Sequence, residues 1–105
     1  MVNIFLIIIY MAAIDPKYTD PKLWGPPFWH IMRTVAHNYP TEPKQIDKQH
    51  VKVFFINIQH MLPCQKCRTH YSSLLVKFPI DKVLCCNSCL IKWVENIHTE
   101  ISKNK

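Results

Sequence analysis

Glycine is almost absent from this chain of 105 residues, and its scarcity is the strongest constraint on the fold. Gly25 is the only glycine, whereas tight β-hairpin turns rely on residues that tolerate positive φ. The eight prolines fall mainly between apolar stretches of helical period, where they delimit helices. The sequence therefore predicts a single all-α domain with one core.

Four stretches carry apolar residues at steps of three and four, the period of an amphipathic helix. The predicted helices cover about residues 26–39, 43–61, 64–76 and 88–102, and residues 80–87 form a connection. Pro26 and Pro27 suit the first turn of the first helix, where their missing N–H groups cost nothing. Four helices with short links predict a four-helix bundle. The residues expected to face inward are Phe28, Ile31, Met32, Val35, Ala36, Tyr39, Ile46, Val51, Phe54, Phe55, Ile58, Leu62, Tyr71, Leu74, Leu75, Leu90, Ile91, Val94, Ile97 and Ile101.

The first 14 residues, MVNIFLIIIYMAAI, are almost wholly apolar. They are too short for a comfortable membrane span of about 20 residues and lack the basic leading region of a secretory signal. Three alternatives stay open: a dispensable extension with Met11 as the true start, a membrane-proximal anchor, or a segment packed against the body. We expect an N-terminal extension and linker in residues 1–22 and the functional domain in residues 23–105.

The net charge is +6 with histidine neutral. A basic balance of this size fits an anionic ligand such as a pyrophosphate, weak non-specific attraction to nucleic acid, or a solvated basic surface. The Lys and Arg residues are spread along the chain, and no helix-turn-helix, finger or aromatic RNA-binding signature accompanies them. We therefore expect no nucleic-acid partner.

Five cysteines in a short chain are the clearest chemical signal. Their odd number and the close grouping of three fit poorly with a secreted disulfide framework, so redox work or metal binding is favoured. Cys64 and Cys67 form a C-x-x-C motif at the predicted opening of the third helix. Their sulfurs can reach disulfide distance across one turn, and a helix N-terminus lowers the pKa of a thiol. Such a dithiol can exchange disulfides through a mixed-disulfide intermediate.

A zinc site is the alternative. Cys86 and Cys89 form a second C-x-x-C motif, and the 18 residues between the pairs fall within the spacing of a four-cysteine zinc ribbon. Zinc ribbons usually place their pairs on glycine-rich knuckles, which this chain lacks. Cysteine spacing by itself leaves both possibilities open: a redox enzyme, or a zinc-stabilised binding module without catalysis.

Four motifs in order narrow this choice: WGPPFW at 24–29, YP at 39–40, PCQKC at 63–67, and Trp93 followed five residues later by His98. Together they resemble the Erv/Alr family of FAD-linked sulfhydryl oxidases over about residues 23–103, and the chain is most similar to the short viral members. The resemblance implies a four-helix bundle with FAD in its core, commonly as a homodimer.

The activity implied by the resemblance is oxidation of dithiols in protein substrates or in a small thiol–disulfide relay protein, with oxygen as acceptor and H₂O₂ as product. The implied location is the host cytoplasm or virus factory, or the virion, with membrane association through residues 1–14 left open.

The resemblance also implies residue roles. Cys67 corresponds to the flavin-proximal sulfur and Cys64 to the interchange sulfur that substrate attacks. Gly25 would let the backbone approach the cofactor, and Lys105 would lie near the pyrophosphate. No metal is expected. The implied FAD contacts are Trp24, Gly25, Trp29, Arg33, Tyr39, Trp93, His98, Ser102 and Lys103.

Several positions depart from the family pattern. Arg33 stands where the family often has histidine, Thr99 and Ser102 replace two asparagines, and Glu95 replaces a structural cysteine of many cellular members, whose disulfide is therefore expected to be absent. The cluster Cys85, Cys86 and Cys89 has no counterpart. It is interpreted either as a shuttle disulfide or as a structural or intersubunit disulfide with one free thiol. His70 is expected on the same side as the dithiol.

Overall fold

The computed structural model describes Ile4 and residues 15–103, and all regular structure within them is helical. Four long helices form the body: α1 (Pro21–His37), α2 (Gln45–Met61), α3 (Gln65–Lys77) and α4 (Asn87–Ser102). One helical turn, Pro16–Thr19, precedes α1, and a 3₁₀ turn, Ile80–Lys82, lies between α3 and α4. The predicted all-α four-helix bundle is confirmed. Residues 1–14 apart from Ile4, and Lys105, lie outside the described residues, so the alternatives for the N-terminal segment stay predictions.

The first helix begins earlier than the sequence predicted. Asp20 caps α1, its Oδ1 accepting a hydrogen bond from the amide of Lys22 at 3.0 Å, and Pro21 takes the first helical position. The prediction that Pro26 and Pro27 open this helix is therefore wrong, since both lie inside it. Their missing amides interrupt the hydrogen-bond ladder only in the second turn, and the helix continues past them.

The other boundaries agree with the prediction to within two residues. The α2 helix begins at Gln45, after a capping bond from the amide of Lys44 to Asp47 Oδ2 at 2.8 Å. Cys64 and Cys86 are the residues immediately before α3 and α4. Differences of this size are ordinary at frayed helix ends. None of the described helices is long and apolar enough to cross a membrane.

The buried core lies between the four helices, with α1 and α3 packed on α4 and α2 packed on α3. Phe55 on α2 meets Trp93 on α4 edge-on, with ring centroids 5.3 Å apart. Two residues expected to face inward do not, because Ile31 is 53% exposed and Ile46 is 50% exposed. The buried apolar residues are Met32, Ala36, Tyr39, Phe55, Ile58, Leu62, Tyr71, Leu74, Ile80, Leu84, Leu90, Trp93, Val94 and Ile97.

Three aromatic side chains in this core carry polar atoms, and each donates a hydrogen bond to a backbone carbonyl. The Tyr71 hydroxyl donates to Phe55, the Tyr39 hydroxyl to Leu84, and the Trp93 indole N–H to Phe78, each at 2.7 Å. Satisfied polar atoms of this kind avoid the desolvation cost of a buried donor. The Tyr39 bond also fixes the chain just before Cys85, at the start of α4.

Candidate active site

The Cys64–Cys67 pair lies at the N-terminus of α3. Cys64 is the N-cap and has extended backbone angles (φ −116°, ψ 122°), so its side chain turns back over the first helical turn. Its Sγ accepts a hydrogen bond from the amide of Cys67 at 3.3 Å. Both thiols therefore share one helical turn, at the end where the helix dipole favours negative charge.

The two thiols are electrostatically unequal. Hydrogen bonds from the Cys67 side chain and from the amides of Cys67 and Lys66 lower the pKa of Cys64, and the charge of Arg68 adds to this effect. Burial, followed by the hydrogen bond and charge of Cys64, raises the pKa of Cys67 to about 11. Cys64 is therefore the thiol that ionises first, which suits it to nucleophilic exchange.

An apolar cavity of about 230 Å³ adjoins the dithiol, and Cys67 forms part of its wall while Cys64 does not. It is smaller than typical small-molecule sites of about 300–1,000 Å³, so it would take one ring system rather than a whole dinucleotide. All four helices contribute to its lining, which consists of Pro21, Trp24, Gly25, Phe28, Trp29, Met32, Ile58, Leu62, Lys66, Cys67, His70, Tyr71 and Ile101.

The cavity lining fits a flat aromatic cofactor such as the flavin ring. The rings of Trp24 and Phe28 meet edge-on with their centroids 5.9 Å apart, so indole and phenyl surfaces form one side of the cavity. Beside them, a methyl group built on Gly25 would have no heavy atom within 4 Å, apart from its two chain neighbours and the nearby backbone of its own helix. The only glycine therefore borders open space in which a ring could approach the backbone.

A polar cluster joins α1 to α4 next to this cavity. Arg33 Nε lies 2.6 Å from Glu95 Oε1, and Arg33 Nη2 lies 3.2 Å from His98 Nδ1. The His98 ring in turn meets the Trp29 ring edge-on, with centroids 4.7 Å apart. Arg33 thus contacts both Glu95 and His98, and His98 in turn contacts Trp29.

The structure gathers some of the predicted cofactor contacts and not others. Trp24, Gly25, Trp29 and Cys67 line the cavity, and Arg33 and His98 lie beside Trp29. The other predicted contacts do not line it. Tyr39 and Trp93 are core residues bonded to backbone carbonyls, Ser102 is exposed, and exposed Lys103 pairs with Glu100 at 3.0 Å. Their roles as FAD contacts stay predictions.

Sequence reasoning missed Phe28 and Lys66 as cavity residues. Phe28 lies four residues after Trp24 and so shares its helical face, a signal that was interpreted only as core packing. Lys66 lies between the two cysteines, and the C-x-x-C spacing by itself gives no sign that this side chain lines the cavity. His70, predicted on the side of the dithiol, does line the cavity with Cys67.

The second cysteine cluster lies away from this site. The Sγ atoms of Cys85, Cys86 and Cys89 all lie within 4.8 Å of one another, and neither Cys64 nor Cys67 belongs to the group. The alternative of one zinc site shared by Cys64, Cys67, Cys86 and Cys89 is therefore wrong. The first pair opens α3 and the second opens α4, and the fold keeps these two helix ends apart.

A larger groove of about 710 Å³ runs along α2, from Gln45 to Asn57, and touches Cys85. Its lining is mostly polar, including Lys48, Lys52 and Asp81, and includes neither dithiol cysteine nor an aromatic side chain. Cys85 is the one cysteine in its lining, and no aromatic side chain is there to hold a flavin ring, so the smaller cavity is the better candidate for the active site.

Comparison with known proteins gives consistent results. Residues 26–105 match the sequence profile of the Erv1/Alr family. A protein of Acanthamoeba polyphaga mimivirus is 37% identical over 84 residues, which are 79% of this chain and 59% of that protein. A protein of Invertebrate iridescent virus 3 is 30% identical over 83 residues, 79% of this chain and 56% of that protein. The first is named "Probable FAD-linked sulfhydryl oxidase R368" and the second "Putative FAD-linked sulfhydryl oxidase 096R".

The crystal structure of the yeast Erv1 core has the same fold, with a TM-score of 0.78 at 23% identity, over 88% of this chain and 75% of that one. The chain thus spans a little over half the length of the two viral relatives and most of one solved core.

Proposed function

The chain belongs to the Erv1/Alr family, and on that premise we propose that it is an FAD-linked sulfhydryl oxidase that forms disulfide bonds in protein substrates. One observation carries the proposal: an asymmetric dithiol whose more buried sulfur, Cys67, lines an aromatic cavity while its partner, Cys64, does not. Two unequal sulfurs are what a relay between a protein thiol and a buried cofactor requires.

We assign to Cys64 the role of the sulfur that reacts with the substrate. A substrate thiolate attacks Cys64 Sγ of the Cys64–Cys67 disulfide, a new S–S bond forms to the substrate, and Cys67 leaves as a thiolate. The second substrate thiolate then attacks the substrate sulfur of this mixed disulfide, releasing the oxidised substrate and the Cys64 thiolate. The lowered pKa of Cys64 makes it the better leaving group in this second exchange.

Cys67 carries the charge that this exchange produces. Burial opposes a thiolate there and keeps the pKa of Cys67 high, and the positive charge of Lys66, which also lines the cavity, offsets only part of that rise. FAD bound with its ring in this cavity would supply the acceptor for the electron pair of the dithiol and pass it on to oxygen. Trp24 and Trp29 would exclude water from the ring, and Gly25 would let it approach the helix.

The test is the colour and turnover of the purified chain. We expect about one flavin per chain and dithiothreitol-dependent oxygen consumption. Cys67→Ser should keep the flavin and abolish turnover, whereas Cys85→Ser, a matched change outside the cavity, should leave dithiothreitol oxidation unchanged. A colourless protein without flavin, or turnover that survives Cys67→Ser, would refute the proposal.

The substrates are either protein dithiols or a small thiol–disulfide relay protein. In the Cys67→Ser variant Cys64 lacks its resolving partner, so its thiolate should attack a disulfide of the oxidised substrate, displace one substrate thiolate and remain attached to the other sulfur as a mixed disulfide. Mass spectrometry of the adducts trapped in infected cells would identify the substrate class. Adducts that form equally on the Cys64→Ser variant would contradict the assignment of Cys64.

We further propose that the chain forms a homodimer. Exposed apolar side chains such as Ile31, 53% exposed on α1, and Val53, 54% exposed on α2, support this proposal as available contact surface. Sedimentation equilibrium tests it, and a monomer at micromolar concentration would refute it.

The viral source of two relatives supports a location in the host cytoplasm, virus factory or virion, which fluorescence microscopy of a tagged chain in infected cells would test.

A further inference from the structure

Three cysteines converge at the start of α4, outside the proposed oxidase site. Cys89 Sγ lies 3.2 Å from Cys86 Sγ and 3.4 Å from Cys85 Sγ, and all three sulfurs lie within 4.8 Å of one another. Cys85 is exposed, and the other two are partly buried. A disulfide could use only two of these thiols, so the third needs a separate explanation.

The cluster lies at the opposite end of the bundle from Cys64 and Cys67. It opens α4, whereas Ile101 near the end of the same helix lines the active-site cavity. The twelve residues from Cys89 to Ile101 span about 18 Å at 1.5 Å per residue. Disulfide exchange needs sulfurs in direct contact, so the Cys64–Cys67 pair of the same chain cannot oxidise this cluster without a large rearrangement.

We propose that Cys85, Cys86 and Cys89 form a binding site for one thiophilic d¹⁰ cation, Zn²⁺ or Cu⁺, with three thiolate ligands and a fourth position open to solvent. Thiolate-rich sites select these two ions over harder cations. The site is separate from the cofactor cavity and does not depend on the proposed oxidase activity.

The sulfur positions fit such an ion with small adjustments. Three thiolates at about 2.3 Å from a tetrahedral Zn²⁺ lie roughly 3.8 Å from one another. The two closest sulfur pairs need to separate by only about 0.4–0.6 Å to reach that spacing, which side-chain rotation of these incompletely buried residues can supply. Cys85 is the most exposed of the three and leaves one side of the site open to water.

The groups around the three cysteines favour negative charge, but they do not balance the charge of three thiolates. The α4 N-terminus attracts anions through its dipole, and the Ser88 hydroxyl lies 3.2 Å from Cys86 Sγ, where it can donate a hydrogen bond to a thiolate ligand. Three adjacent thiolates nevertheless repel one another unless a cation lies between them. Binding of the cation displaces the thiol protons and removes this repulsion.

The experiment uses the full chain, reduced with a phosphine under anaerobic conditions. Zn²⁺ is titrated in competition with a chromophoric chelator, Cu⁺ in a parallel series, and Co²⁺ serves as a spectroscopic probe for thiolate-to-metal charge transfer. We expect about one equivalent bound, with the charge-transfer band that thiolate ligands produce. The Cys64→Ser/Cys67→Ser double variant is the control and should bind equally well.

Cys85→Ser distinguishes three ligands from two, and because the residue is exposed the substitution should not disturb the core. It should weaken binding by about 100-fold or more, since loss of an outer-shell partner alone typically costs about 10- to 100-fold, and the triple serine variant should abolish it. Circular dichroism would verify that both variants keep their helices. Binding that is unchanged in Cys85→Ser, binding that is lost in the Cys64→Ser/Cys67→Ser control, or no tight binding of either ion would overturn the proposal.

Discussion

Gly25→Ala separates a backbone role of this glycine from a cofactor role. Gly25 lies inside α1, lines the cavity and directly precedes Pro26. Apart from its chain neighbours and the nearby backbone of its own helix, a methyl group added there meets no heavy atom within 4 Å, so it would project into the space we assign to the flavin ring. The same methyl group also changes the local backbone energetics, and the two effects appear in different measurements.

The effects on the cofactor-free protein oppose each other. Replacing glycine by alanine in a helix stabilises it by about 0.5–1 kcal/mol. A residue with a Cβ before proline is disfavoured in the helical region, which offsets that gain. We therefore expect the free energy of unfolding without cofactor to stay within about 1 kcal/mol of the wild-type value.

The added methyl group can only weaken cofactor binding. Forcing an extra methyl group into a close-packed contact typically costs about 1–3 kcal/mol, which weakens FAD binding about 5- to 150-fold. Urea unfolding of the cofactor-free protein and fluorescence titration with FAD measure the two quantities separately. Thr34→Ala, an exposed change on the same helix, is the control and should leave FAD affinity unchanged.

Two results would refute this reasoning. Unchanged FAD affinity in Gly25→Ala would show that no ring approaches this position. A loss of more than about 2 kcal/mol in the cofactor-free protein, with the affinity intact, would show that glycine is required only because it precedes Pro26.

Three further predictions concern the dithiol, the ion pair between Arg33 and Glu95, and the buried core. In the reduced protein, alkylation should modify Cys64 at a lower pH than an ordinary thiol requires, because hydrogen bonds lower the pKa of Cys64. Cys67 should react only toward pH 11, because burial raises its pKa. Mass spectrometry maps the modified thiols, and equal rates of alkylation at neutral pH would contradict the asymmetry. Glu95→Gln should lower the free energy of unfolding in urea by less than about 1 kcal/mol, since both side chains of its ion pair with Arg33 are more than one-third exposed. A loss of several kcal/mol would show that the fold depends on this pair. Phe55→Ala, at a fully buried position, should cost about 3–5 kcal/mol in the same assay; a loss below 1 kcal/mol would contradict the observed packing.

Periodicity predicted the helices well because their core faces repeat at regular steps. Tyr71, Leu74, Leu90 and Val94 lie inside as expected, since each belongs to an amphipathic stripe. The start of α1 was misplaced because Asp20 and Pro21 form a cap and first turn upstream of the apolar stripe.

The site was predictable only where its residues are close in the sequence. The C-x-x-C motif and its helix N-terminus follow from local order, so the dithiol could be located without coordinates. The pairing of Arg33 with Glu95 joins residues 62 positions apart, and no spacing rule links them. The separation of the two cysteine clusters likewise depends on how α3 and α4 pack, which is why cysteine spacing left open a shared zinc site that the fold excludes.

The central claim is that electrons from a dithiol reach FAD through Cys64 and Cys67, and anaerobic titration of the flavin-loaded chain with dithiothreitol tests it most directly. The account predicts that bleaching of the flavin absorbance takes about two equivalents of dithiothreitol, one to reduce the Cys64–Cys67 disulfide and one to reduce the flavin. It also predicts that Cys64→Ser and Cys67→Ser each slow the bleaching by orders of magnitude. Bleaching at the wild-type rate in both serine variants would contradict the account.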